Sequence, residues 1–153
     1  MSIFAELERG VVMASADETR AVAGQVARAL PADRVLALQG ELGAGKTTFV
    51  QGLAAAWGVR GTVTSPSFTV CNLHQGTRLL VHMDAYRLRG TEDWDGLMVE
   101  EFLRSPWCLV IEWPERIRDS VPTGACWLHF EVRQDGSRRL LMSSGDRRME
   151  TQM

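Results

Sequence analysis

The sequence predicts a single α/β domain, a central mixed sheet with helices packed on it, extended by antiparallel hairpins. Three observations lead there. Val35, Leu36, Ala37 and Leu38 are apolar without alternation, as are residues 108–111, and such runs suit strands covered on both faces. Helical patterns with one apolar stripe lie on either side of the first run. Turn signals at residues 74–77 and 135–136 join further strand patterns into hairpins. The length of 153 residues matches one domain, large enough to bury about 70% of its unfolded surface without disulfides.

Each element follows from its residues. Residues 8–14 read as a short strand. Ser15 and Glu18 form an S-x-x-E capping box that opens a helix. Val22, Val26 and Leu30 share one face of it, and Pro31 ends it. The strand at 35–38 leads through a glycine-rich segment to a second helix, with Phe49, Leu53 and Trp57 on one stripe and Gly58 at its stop. Residues 68–73 and 78–84 form a hairpin around 74–77. Residues 91–104 are acidic and read as helical or irregular. Residues 108–112 are another buried strand. Cys126, Leu128, Phe130 and Val132 alternate with Trp127, His129, Glu131 and Arg133, and Asp135-Gly136 turns this strand into a last one at 138–142. The domain spans 1–142, and 143–153 reads as a polar, frayed tail.

Composition excludes several classes. Hydrophobic residues are 45% and charged residues 24%, ordinary for a globular protein. The longest apolar run, 107–111, falls far short of the about 20 residues a membrane helix needs. The first six residues lack a basic region and include Glu6, so they do not read as a signal peptide. Cys71, Cys108 and Cys126 are widely spaced and read as buried small hydrophobes in a reducing cytoplasm; no Cys/His spacing suggests zinc. A net charge of −2 argues against holding nucleic acid by bulk electrostatics. Of the 17 basic residues, Lys46 is the lone lysine.

That lysine lies in Gly40-Glu41-Leu42-Gly43-Ala44-Gly45-Lys46-Thr47, which matches G-x-x-x-x-G-K-[ST] and marks a P-loop NTPase-like domain. Glycines let successive backbone N–H groups curl around phosphate oxygens. The helix that follows aims its N-terminal N–H groups at the same anion. Lys46 reaches the β- and γ-phosphates, and the Thr47 hydroxyl is placed to ligate Mg²⁺. The alternative is a fortuitous glycine-rich turn, but the buried strand before and the helix after favour the phosphate loop. The common guanine-reading sequence [NT]-K-x-D needs a second lysine, so ATP is the expected nucleotide.

A P-loop site also needs a carboxylate at a strand end. Asp84 ends one apolar run and Glu112 ends another. Spacing leaves open which acid serves the metal and which orients water. Ser65-Pro66-Ser67-Phe68 offers two hydroxyls that suit a γ-phosphate-sensing loop, or is a plain turn. His82 projects to the same face as Asp84, as a base or as a hydrogen-bonded structural histidine. Trp113 walls the site, docks a partner or fills the core. Trp94, between Asp93 and Asp95, reads as half buried and open to a partner. Arg138, Arg139, Arg147 and Arg148 are solvated charges, one of which can approach the nucleotide.

Residues 40–48, 65–68, 82–88 (His-Met-Asp-Ala-Tyr-Arg-Leu) and 111–116 (Ile-Glu-Trp-Pro-Glu-Arg) together resemble the TsaE family, over about residues 15–142. These are the small ATPase subunits of the bacterial tRNA threonylcarbamoyladenosine machinery. The resemblance implies a weak, partner-stimulated ATPase with ATP and Mg²⁺ as cofactors, acting with TsaB and TsaD. TsaD carries the threonylcarbamoyl transfer to N6 of adenosine 37 in tRNAs reading ANN codons, and ATP hydrolysis supports turnover of the complex. Contact with tRNA is then indirect, which fits the charge. It further implies that Gly43, Ala44, Gly45, Lys46, Thr47 and Thr48 cradle the phosphates and that Thr47 and Glu112 serve Mg²⁺. Lys46, Asp84 and Glu112 are then the catalytic residues, residues 65–68 are switch-like, and residues 15–19 lie at the adenine end. Ser67 stands where the family usually has Thr, and Ala85 where it commonly has Leu. A small-molecule kinase, or a nucleotide-dependent switch with negligible hydrolysis, are the alternative functions.

Overall fold

The computed structural model describes residues 2–64 and 71–143. The chain opens with helix α1 (Ile3–Arg9), then β1 (Val11–Met13), α2 (Ala16–Ala29), β2 (Arg34–Gln39) and α3 (Lys46–Ala56). A hairpin follows, β3 (Cys71–Gln75) and β4 (Leu79–Asp84), then a short helix α4 (Thr91–Gly96) and a 3-10 turn (Val99–Phe102). Strand β5 (Trp107–Glu112), a second 3-10 segment (Pro114–Ser120), β6 (Cys126–Val132) and β7 (Arg138–Ser143) complete the described chain. The expected α/β domain is therefore present, with a seven-stranded sheet of order β1-β7-β6-β2-β5-β4-β3.

The centre of the sheet is parallel. β2 pairs with β5 and β6, and β4 pairs with β5, all in parallel. The β3–β4, β6–β7 and β1–β7 pairs are antiparallel, so the hairpins extend the sheet at both sides. Leu36, Leu38, Leu80, Val110 and Leu128 face one apolar cluster with Val22, Val26, Phe49, Leu53 and Trp57 from α2 and α3. Ala37, Val81, Met83, Leu109, Ile111 and Trp127 face a second cluster on the other side. That double burial is why the central runs carry no polar alternation.

Local chemistry explains the helices nearest the site. Ser15 Oγ accepts from Glu18 N at 3.1 Å, and Glu18 Oε2 accepts from Ala14 N at 3.1 Å. The capping residues of the S-x-x-E pattern thus open α2 as expected. Helix α3 lies closely on α2 through Gly52: a Cβ there would come within 2.6 Å of Ala23 Cβ and 2.7 Å of the Arg20 carbonyl oxygen. This close approach sets the position of the α3 N-terminus over the sheet.

The structure corrects three expectations. Residues 8 and 9 close α1 rather than opening a strand: Ser2 caps the helix, Ile3 and Leu7 are buried four residues apart, and Gly10 ends it at φ 96°. Trp94 is not half buried. It is enclosed in the second cluster, where α4 packs on the 114–120 segment. In β6, Trp127 is buried while Val132 is exposed, because the strand lies inside the sheet and loses its second cover only at its far end. Cys108 is fully buried, whereas Cys71 and Cys126 are partly covered; burial pushes the Cys108 and Cys126 thiols up to about 12. None of the described helices is long and apolar enough to cross a membrane.

Candidate active site

The carboxyl ends of the parallel strands converge on α3. β2 leads directly into Gly40 and the loop that ends at Lys46, the first residue of α3. Gly40 runs so close under Phe130 that a Cβ would lie 2.9 Å from its side chain and carbonyl. Gly43 and Gly45 have φ of 82° and 105°, a region that side chains with a Cβ rarely adopt. Gly45 caps α3 without any side-chain hydrogen bond. The first-turn N–H groups of this 11-residue helix are therefore left for an outside acceptor, at the positive end of its dipole.

Lys46 is buried against this loop. Its Nζ donates to the Gly40 carbonyl at 2.6 Å and sits 4.0 Å from the centre of the Trp113 ring. Burial pulls its pKa below the usual lysine value, and the charges of Glu112, Glu115 and Asp84 oppose that shift. Trp113 follows Glu112 at φ 57°, with its ring 5.0 Å from that of Tyr86, over which Arg116 lies. This aromatic wall explains why a tryptophan directly follows a strand-end acid.

The two acids come from adjacent strands. Asp84 and Glu112 are register partners at the ends of β4 and β5, and Glu112 is also opposite Leu38 of β2. Both line one cavity of about 230 Å³ with Gly43, Lys46, Thr47, Thr48 and Trp113. Asp84 Oδ1 accepts from Tyr86 N at 2.9 Å. Burial pushes the Asp84 carboxyl up; the Tyr86 bond lowers it, the Glu112 charge raises it, and the Lys46 charge lowers it. Glu112 is buried, and its Oε2 lies 2.5 Å from Nε2 of the fully buried His82. His82 is therefore hydrogen-bonded, and it does not line the cavity.

A second cavity of about 300 Å³ lies on the other side of the loop and shares Gly43, Gly45 and Thr48 with the first. Met13, Ala14, and Ser15, Ala16 and Thr19 at the start of α2, together with Gly136 and Arg138, complete its lining. Arg138 donates to the Gly43 carbonyl at 3.1 Å and so ties the β6–β7 turn to the loop. Sequence left that residue undistinguished among four arginines, since no local pattern tells which one folds back. Gly136 in this lining was not anticipated. Ala44 is buried beneath the loop. Ser65, Pro66, Ser67 and Phe68, the switch-like segment, lie outside the described residues, as do Arg147 and Arg148.

The donor set suits a hard cation. The Thr47 hydroxyl and the Glu112 and Asp84 carboxylates are oxygen donors lining one cavity, the ligand type that Mg²⁺ takes. Among the described residues no group of three or more His, Cys, Asp or Glu side chains forms a metal cage.

Comparison with known proteins gives one consistent result. The family model described as "Threonylcarbamoyl adenosine biosynthesis protein TsaE" matches residues 13–140. The tRNA threonylcarbamoyladenosine biosynthesis protein TsaE of Treponema pallidum is 37% identical over 132 residues, 86% of this chain and 98% of that protein. Its counterpart of the same name in Bacillus subtilis is 31% identical over 135 residues, 88% of this chain and 84% of that one. The crystal structure of Bacillus subtilis YdiB aligns with a TM-score of 0.72 at 31% identity, covering 92% of this chain and 88% of that one.

Proposed function

The chain belongs to the TsaE family of tRNA threonylcarbamoyladenosine biosynthesis proteins, and from that premise we propose that it is the ATP-binding and ATP-hydrolysing subunit of that machinery. It acts in the cytoplasm with TsaD and TsaB, and reaches tRNA through them. One observation carries the enzymatic part: two carboxylates in register face the same cavity as the P-loop lysine and threonine.

The triphosphate lies over residues 40–48. The open N–H groups of α3 and the Lys46 ammonium receive its oxygens, and charge-assisted bonds to phosphate displace the Gly40 carbonyl from Lys46. The adjoining cavity at Ser15, Thr19 and Arg138 takes the nucleoside. Thr47 and Glu112 would hold Mg²⁺, which when bound neutralises phosphate charge. Asp84 orients the attacking water and accepts its proton; a carboxylate made more basic by burial is the better acceptor. Among the described residues lining the phosphate cavity, Lys46 is the lone cation and no arginine is present. An arginine supplied by a partner contributes large rate factors in phosphoryl transfer. We infer that hydrolysis is weak in the chain alone and is stimulated by TsaD and TsaB.

The test is formation of the N6-threonylcarbamoyl group at adenosine 37 by TsaB and TsaD, with and without this chain and ATP. Product well beyond one equivalent of TsaD only when both are present supports the proposal. Equal product without the chain contradicts it. Phosphate transferred to a small-molecule acceptor would revive the kinase alternative.

A further inference from the structure

Among the described residues, His82 is a fully buried polar side chain that the chemistry above does not use. His82 lies on β4 two residues before Asp84, is fully enclosed, and lines neither cavity. Its Nε2 is 2.5 Å from Glu112 Oε2, while its Nδ1 has no hydrogen-bond partner among the described residues. The two ring nitrogens are therefore not equivalent. A neutral imidazole carries one N–H. On Nε2 that hydrogen is donated to the carboxylate, and Nδ1 remains a bare acceptor. On Nδ1 it would be a buried donor without acceptor, and two lone pairs would face each other between Nε2 and Oε2. The first arrangement is far cheaper.

The position of the pair follows from register. His82 stands opposite Val110 of β5, and Glu112 is the next residue on the same face of that strand. The 2.5 Å contact shows that the two side chains reach each other across the strands. Glu112 has a broad, roughly two-fold terminal torsion, so a strand-end glutamate has no fixed orientation of its own. A bond to one of its oxygens removes that freedom, and burial keeps water from replacing it. We propose that His82 is a positioning residue for Glu112. Through Oε2 it presets the carboxylate that serves the cation accompanying the nucleotide phosphates. This rests on the ATP and Mg²⁺ reading of the site and adds a residue that touches neither phosphate nor cation. Supporting hydrogen bonds of this kind typically contribute 10–100-fold, as an order of magnitude, to metal affinity.

The experiment is calorimetric binding of a non-hydrolysable ATP analogue to the full chain, once with MgCl₂ and once with EDTA. The readout is the ratio of the two affinities. His82→Leu removes the donor. Affinity in EDTA is expected to stay within about threefold, and the enhancement by Mg²⁺ to fall about tenfold or more. His82→Gln places an amide N–H near the original Nε2 and is expected to restore the enhancement to within about threefold of the unsubstituted chain. His82→Asn, whose nitrogen stops short of Glu112, is expected not to. Should His82→Leu fail to fold, the Gln and Asn variants carry the same comparison. In a Glu112→Gln background, His82→Asn is expected to change the ratio no further, which a general loss of stability would not produce. Full Mg²⁺ enhancement in folded His82→Leu or His82→Asn overturns the inference. So does nucleotide binding by the unsubstituted chain that is indifferent to Mg²⁺. No nucleotide binding in either buffer would instead overturn the functional reading beneath it, and the inference with it.

Discussion

Replacing Lys46 by alanine is expected to lower ATP affinity by roughly 100-fold and to abolish hydrolysis, since bonds from a charged donor contribute about 1.5–3 kcal/mol and this one faces the most charged part of the ligand. The loss is expected in binding and not in folding. The Lys46 ammonium is buried, which disfavours its charge, and the contacts the substitution removes are those to the Gly40 carbonyl and the Trp113 ring. Calorimetry with a non-hydrolysable analogue measures the first, and thermal melting the second. Affinity unchanged within twofold in a folded variant would show that the loop does not hold phosphate.

Asp84→Asn is expected to separate binding from chemistry. Hydrolysis should fall by about 10²–10⁴-fold, the usual contribution of a positioned general base, while nucleotide affinity stays within a few-fold. The same substitution is expected to raise the melting temperature of the nucleotide-free protein at neutral pH. Burial raises the Asp84 pKa, so the folded chain binds that proton more tightly than the unfolded chain. Stability from this group is therefore present at low pH and is lost as pH rises through the folded pKa. An amide has no such loss, and it removes a charge facing Glu112. Steady-state phosphate release and a melting curve at pH 7 check both halves. Normal turnover would take Asp84 out of the mechanism, and a lowered melting temperature would mean that the carboxylate is structural.

These effects were legible in the sequence to different depths. The phosphate loop is eight contiguous residues whose glycines, lysine and threonine each have a chemical reason, so the strand–loop–helix unit was readable directly. Asp84 and Glu112 were visible as acids ending apolar runs. Their pairing was not, because it depends on β4 and β5 running parallel in one register, which residues far apart in the chain decide together. The His82 bond to Glu112 depends on the same register. Helix α1 has its signals in Ser2, Ile3, Leu7 and Gly10, but a seven-residue helix shows barely two turns of periodicity, too little to stand out. The aspartates flanking Trp94 suggest solvent, while its burial comes from α4 packing onto the 114–120 segment. Arg138 reaches the second cavity through the β6–β7 turn, which no local pattern announces.

The most direct test of the central claim is the rate of ATP hydrolysis by this chain alone and with TsaB and TsaD added. The account predicts a low rate alone, a clear rise with both partners, and loss of that rise in Lys46→Ala. A demonstrably assembled complex that binds ATP and shows no rise would contradict it and leave the chain as a nucleotide-dependent switch.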